Sequence, residues 1–186
     1  KTRLRAVETW LGGDETRRTQ VEEWSREIRE KHSPFHWYLE FPEVFFLERP
    51  DPLEELRINR AAFVDAFVGN PPFLGGSKIS GALGTEYLHW LMQMNQSADG
   101  RGDLCAHFLV RCHSLLGCNG SAGFVATNSI AQGDTRATGL LHLVRTGATI
   151  FAADPSSPWP GDANVSVAIV HFATGAPSKN ASRRCL

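Results

Sequence analysis

The residues best suited to chemistry are Asn70, Pro71, Pro72 and Phe73, which end the stretch V-D-A-F-V-G-N-P-P-F from Val64 to Phe73. The Asn70 side-chain oxygen and the Pro71 carbonyl are both acceptors, and the two prolines bring no N–H that could satisfy them locally. Phe73 sets an aromatic face beside them. Two acceptors and a ring fit a flat group bearing an amine, as a nucleobase does.

The element that must position this turn is the run just before it. Val64, Ala66, Phe67 and Val68 are apolar with little interruption, the pattern of a strand buried in a parallel sheet. The strand must stop at Asn70, because Pro71 cannot donate to a ladder and Pro72 fixes a second φ. The turn therefore lies just past the carboxyl end of a strand, where ligands bind in open α/β sheets.

N-P-P-F resembles the catalytic motif of S-adenosylmethionine-dependent DNA methyltransferases that act on amino groups, especially the adenine-specific enzymes of restriction-modification systems. Two further segments carry the resemblance. F-H-W-Y-L-E-F-P-E-V-F from Phe35 to Phe45 is similar to the F-x-W-x-x-E-F-P-E-V-F segment that precedes the motif in the large enzymes of this kind. D-L-C-A-H-F-L-V-R followed by G-F-V-A-T-N-S-I-A-Q-G-D-T-R resembles the helix and strand that come after it. The resemblance covers about Phe35 to Phe172.

It implies an α/β fold, the second half of a class I (Rossmann-like) methyltransferase sheet, mostly parallel with an antiparallel closing strand pair. It implies catalytic roles for Asn70, Pro71, Pro72 and Phe73, S-adenosylmethionine as cofactor, and double-stranded DNA with a flipped adenine as partner. Target-recognition and nuclease domains, fused or associated, belong to the same picture. Phe73 is the first candidate to stack on the base, and Trp159 is a second that fits packing on the sheet edge equally well. Adenine rests on the resemblance, since cytosine also offers an exocyclic amine. Methyltransferases acting on glutamine side chains or RNA amino groups share N-P-P-[FY], and a non-catalytic binding or assembly module is a rival from another class.

The glycine-rich turn that holds the cofactor in these enzymes is missing. Gly12-Gly13-Asp14 is the one candidate, and no apolar strand precedes it. No residue is assigned to the cofactor, and the chain is expected to be a fragment, inactive alone. Leu74-Gly75-Gly76-Ser77-Lys78 lacks the G-x-x-x-x-G-K-[ST] pattern of a phosphate loop.

Composition agrees with a folded domain of 186 residues, 42% hydrophobic, with mean hydropathy -0.22. A formal net charge of -1 argues against a dedicated nucleic-acid-binding module, which carries a basic stripe. No membrane span or export signal is seen, so the expected location is cytoplasmic. Four cysteines without C-x-x-C spacing predict neither a zinc site nor a disulfide framework.

The expected organisation is a helical segment over 1–33, the catalytic half over 34–174 and a tail over 175–186. Asp14 to Lys31 predicts a surface helix with Val21, Trp24 and Ile28 on its stripe, and Pro42 limits any strand around it to a short or edge element. Thr85 is expected to cap one helix. Asp103 is expected to cap another, with Leu104, Phe108, Cys112, Leu115 and Leu116 inward and Gly117 at its end. Gly123 to Thr127, Thr149 to Ala152 and Val165 to Phe172 read as strands. Arg136 to Arg145 reads as a helix burying Ala137, Leu140, Leu141 and Val144, and Asp154 to Asp162 as a loop.

Overall fold

The computed structural model describes residues 2–46, 63–95, 100–159, 162 and 165–175. Residues 47–62, which include the charged, proline-bearing stretch Leu47 to Arg60, and the tail beyond Gly175 lie outside the described residues. Two compact units are present, Lys1–Pro42 and Glu43–Leu186.

In the first unit, α1 (Thr2–Leu11) ends at Gly12-Gly13, where Gly13 adopts a φ of +97° that a side chain would strain. Asp14 then caps a short 3-10 turn by accepting from the Thr16 N–H at 3.0 Å, and α2 (Arg18–His32) follows. The predicted surface helix is therefore present, although its stripe narrows to Val21, with Ile28 44% exposed. The aromatic segment, where Pro42 was expected to limit any strand, holds no strand longer than the single bridge residue Phe46. It forms two single helical turns, α3 (Trp37–Glu40) within the first unit and α4 (Pro42–Phe45), whose residues after Pro42 belong to the second. Pro42 sits at the first helical position, where its missing N–H costs no intrahelical bond.

The second unit is built on a sheet of order β1-β2-β4-β3, from β1 (Val64–Gly69), β2 (Leu116–Thr127), β3 (Ala148–Pro158) and β4 (Ser166–Thr174). β1 and β2 are parallel, while β4 runs antiparallel to both β2 and β3. The expected closing antiparallel pair is β3 with β4, and β4 inserts between β2 and β3. One face is covered. Ala122, Phe124 and Ala126 of β2 and Ala168, Val170 and Phe172 of β4 pack there against Leu109, Cys112, Ile130 and Leu143. Phe124 and Phe172 stack with centroids 6.0 Å apart.

β1 occupies an edge of the sheet formed by the described residues and is not buried on both faces as its composition predicts. Phe67 packs on the core, but Val68 on the opposite face is 90% exposed. β2 begins much earlier than expected. α7 (Leu104–Leu115) passes straight into Leu116 without a loop, so Gly117 lies in the strand rather than ending the helix. Between the Val64↔Leu116 and Ala66↔Ser121 pairs the register slips. The slip needs glycine, because a Cβ on Gly120 would lie 3.0 Å from the Val64 carbonyl. Thr174 fastens the bulge with its hydroxyl, which donates to the Gly117 and Gly120 carbonyls.

Asp103 caps α7 as expected, but Phe108 is 43% exposed while His107 and Leu109 are buried. The helix after β2 also differs. α8 (Gly133–Arg136) and α9 (His142–Arg145) flank a wide π turn over Ala137–Leu141. The added residue rotates the inward face, so Thr138, Gly139 and Leu143 are buried and Val144 is 52% exposed. β3 runs through Pro158, past the loop predicted from its prolines, because it is an edge strand that needs no donor on its outer side.

Gly102 lies where a Cβ would come within 2.6 Å of Thr138 Oγ1 and 2.8 Å of Thr138 Cβ. Gly102→Ala is expected to destabilise the protein by about 1–3 kcal/mol through overpacking. Urea unfolding checks this, and an unchanged midpoint refutes it.

Candidate active site

Two anchors hold the turn Asn70–Phe73. On one side, Gly69 pairs with Phe124 at the end of β1. On the other, Leu74 is tied to the first turn of α7 through both backbone groups: its N–H donates to Asp103 Oδ1 at 3.2 Å, and its carbonyl accepts from the Leu104 N–H at 3.0 Å. Asp103 Oδ1 also accepts from the Cys105 N–H at 3.0 Å, so the helix cap and the loop tie share one oxygen. The Leu74 side chain packs beside Ile79, Leu91 and Leu104, a small apolar cluster formed by α5 (Gly76–Leu83), α6 (Thr85–Met94) and the start of α7.

Gly76 completes the approach. A Cβ there would stand 2.2 Å from the Arg101 carbonyl carbon and oxygen, so two backbones meet where only glycine fits. The glycine-rich run Leu74-Gly75-Gly76-Ser77-Lys78 is, from Gly76 onward, a helix. Thr85 does not cap the next one; Gly84, with φ of +93°, holds that position.

Within the turn, Pro71 is buried, whereas Asn70, Pro72 and Phe73 face outward, with Phe73 42% exposed. Among the described residues the Asn70 side chain takes no hydrogen-bond partner. An amide held stiffly and left open at a strand end can serve an external donor pair.

A family model described as "MmeI, DNA-methyltransferase domain" matches residues 22–185. The chain belongs to that family. The fold agrees with it: the solved Type IIL restriction-modification enzyme MmeI, in complex with DNA, superposes with a TM-score of 0.51 at 20% identity, over 82% of this chain and 21% of that one. The chain thus spans about a fifth of the length of that enzyme. No curated protein matches the sequence. The expected resemblance to restriction-modification DNA methyltransferases is borne out at the level of family and fold.

Within this methyltransferase domain, Trp159 lies at the same end of the sheet as Asn70 but on the opposite edge. Its N–H donates to the Val165 carbonyl at 2.9 Å, closing the β3–β4 connection. Three strand spacings, about 14 Å, separate the two edges. Gly12 and Gly13 close a helix rather than follow a strand, so the described residues there do not form a cofactor turn. On the open face of the sheet a groove of about 360 Å³ runs from Ala66, Val68 and Asn70 across Gly123 and Val125 to His171 and Phe151. No helix among the described residues is long and apolar enough to cross a membrane.

Sequence reasoning missed the polar layer behind the turn. The Asp103 N–H donates to Thr135 Oγ1 at 3.1 Å, and the Asn95 amide donates to the Thr138 carbonyl at 3.3 Å within the π turn. His107 is buried with neither ring nitrogen hydrogen-bonded, and Thr138 Oγ1 is likewise unpaired. The legible signal was the i, i+4 placement of Asp103 and His107 on one helix face.

Burial pushes the His107 imidazole below the ordinary 6.5, with the Asp103 charge pulling more weakly upward. The unfolded chain therefore takes up this proton at a higher pH than the folded one. The contribution to stability is full above about 6.5 and is lost as pH falls through the lowered folded value. His107→Leu is expected to lose less stability than the parent between about pH 7 and pH 5, measured by urea unfolding at both values. Equal losses in the two proteins refute it.

Burial also pushes the Cys112 thiol up to about 12 and the Cys105 thiol higher still, whereas Cys118 is exposed. N-ethylmaleimide at neutral pH is expected to label Cys118 and spare Cys105 and Cys112 in the folded protein. Peptide mass mapping reads the result, and prompt labelling of either buried thiol contradicts it.

Proposed function

We propose that this domain presents the exocyclic amine of adenine in double-stranded DNA for methylation, as part of a restriction-modification system. One observation carries the reading: the open Asn70 amide, stiffened by Pro71 and Pro72 at the end of β1, in a chain of the MmeI DNA-methyltransferase family. The length of the matched enzyme supports further domains for target recognition and cleavage around this one.

The target base rotates out of the duplex, because its amine is otherwise paired and stacked; unstacking costs a few kcal/mol. The Asn70 side-chain oxygen and the Pro71 carbonyl accept the two amino hydrogens. That arrangement keeps the nitrogen lone pair localised and fixes its direction, so the contribution is orientation plus preorganised dipoles. Once methylated, the nitrogen is cationic and still carries both hydrogens, one on each oxygen; one of them leaves as a proton to water, which restores the neutral amine, and no strong base is needed. Phe73 stacks on one face of the base. Trp159, on the far edge strand, is the second stacking candidate. S-adenosylmethionine supplies an electrophilic methyl group when bound. Since the described residues offer no glycine turn for it, the roles assigned to this chain concern the acceptor base alone.

The test uses the full-length protein carrying this domain, labelled S-adenosylmethionine and unmodified DNA. Label is expected in N6-methyladenine. Asn70→Ala is expected to lower the single-turnover rate by about 10²-fold or more while still binding cofactor, and Phe73→Ala to weaken capture of the base by about 1–3 kcal/mol. Label in N4-methylcytosine corrects the base. Label in RNA or protein, or an Asn70→Ala variant as active as the parent, refutes the reading.

A further inference from the structure

We propose that Asp103 is a positioning residue for the Asn70–Phe73 turn, an inference that rests on the acceptor role given to that turn. An N-cap side chain needs to reach only the backbone of its own helix. Asp103 does this at Cys105 and, with the same oxygen, holds the Leu74 N–H from 29 residues earlier in the chain. Asp103 is 7% exposed and is itself held from behind, where its N–H donates to Thr135 Oγ1. The Leu74 N–H donates to a carboxylate oxygen, and hydrogen bonds to carboxylates are the stronger kind.

Leu74 is the first residue after Phe73. Between it and the last ladder pair at Gly69 stand only four residues, two of them prolines with fixed φ. A displacement of Leu74 cannot be absorbed by so short and stiff a bridge and passes to Asn70. Misplacing a reacting group by about 1 Å can slow a reaction about 10²-fold. Asp103 therefore acts on the rate of methyl transfer through the position of Asn70 and touches neither base nor cofactor.

The experiment compares the full-length protein with Asp103→Asn, which keeps an acceptor oxygen at the same reach, and Asp103→Ser, which keeps a good helix cap but is too short to hold Leu74 as well. Single-turnover methylation, equilibrium binding of DNA and of S-adenosylmethionine, thermal melting, and backbone hydrogen exchange over 70–78 are measured, with Asn70→Ala alongside. Asp103→Ser is expected to slow single turnover by about tenfold to a hundredfold and to speed exchange over 70–78, with binding little changed and melting lowered but still well above the assay temperature. Asp103→Asn is expected to restore both rate and protection. The inference is overturned if Asp103→Ser keeps the parent rate while Asn70→Ala is inactive. It is also overturned if Asp103→Asn is as slow as Asp103→Ser, or if the loss in Asp103→Ser follows melting or binding. An Asn70→Ala variant at the parent rate removes the acceptor role itself and this inference with it, an outcome distinct from a failure of Asp103 alone.

Discussion

One oxygen, Asp103 Oδ1, joins two parts of the domain that the chain keeps far apart. It caps the start of helix α7 and holds the first residue of the segment that leaves the N-P-P-F turn. Hydrogen bonds to a charged group are worth about 1.5–3 kcal/mol each, and here two of them share a buried acceptor. The close backbone contacts around it follow from that tie. Gly76 meets the Arg101 backbone, Gly102 meets the Thr138 side chain, and the Thr135 hydroxyl holds the Asp103 N–H, so the 74–76 loop, the 101–103 segment and the helical stretch after β2 lie closely against one another as three layers. The order of these layers leaves Asn70 pointing out of a rigid frame rather than lying in a flexible loop.

The sheet contributes the other half of the frame. Its covered face carries the stacked Phe124 and Phe172 rings and the apolar side of α7, which fix β2 and β4, and β1 is registered against β2 up to Gly69. Its other face is open, with Val68 and Phe151 exposed along a groove that has Asn70 at one end. The domain is therefore stiff at the turn, backed there by a buried polar layer, and apolar beside it.

Much of this was legible in local chemistry. The strand Val64–Gly69 stops where the prolines forbid a ladder, and Asp103 caps the helix its position predicts. Three motif segments pointed to the right family. Other features were not local. Leu74 shows nothing in its own neighbourhood of a bond to a carboxylate 29 residues away. The early start of β2 was hidden because Gly117 and Gly120 look like a helix stop and a turn; both are there to let the start of β1 approach. The aromatic segment has strand-like residues but folds as helical turns, since Pro42 suits a helix start better than a ladder. The apolar run of β1 reads as a central strand, yet it stands at an edge of the described sheet.

The π turn over Ala137–Leu141 has a consequence for how this stretch can vary through evolution. Its one additional residue lets Thr138 reach Gly102 while Leu143 still faces the core. Each residue in a helix turns it by about 100°, so deleting one residue here would straighten the helix and carry Leu143 out of the core, and adding one would do the reverse. The outward residues Ala137 and Val144 can be exchanged freely, but the number of residues between Gly133 and Ala148 cannot drift. Related sequences should differ in this stretch by substitution and keep its length.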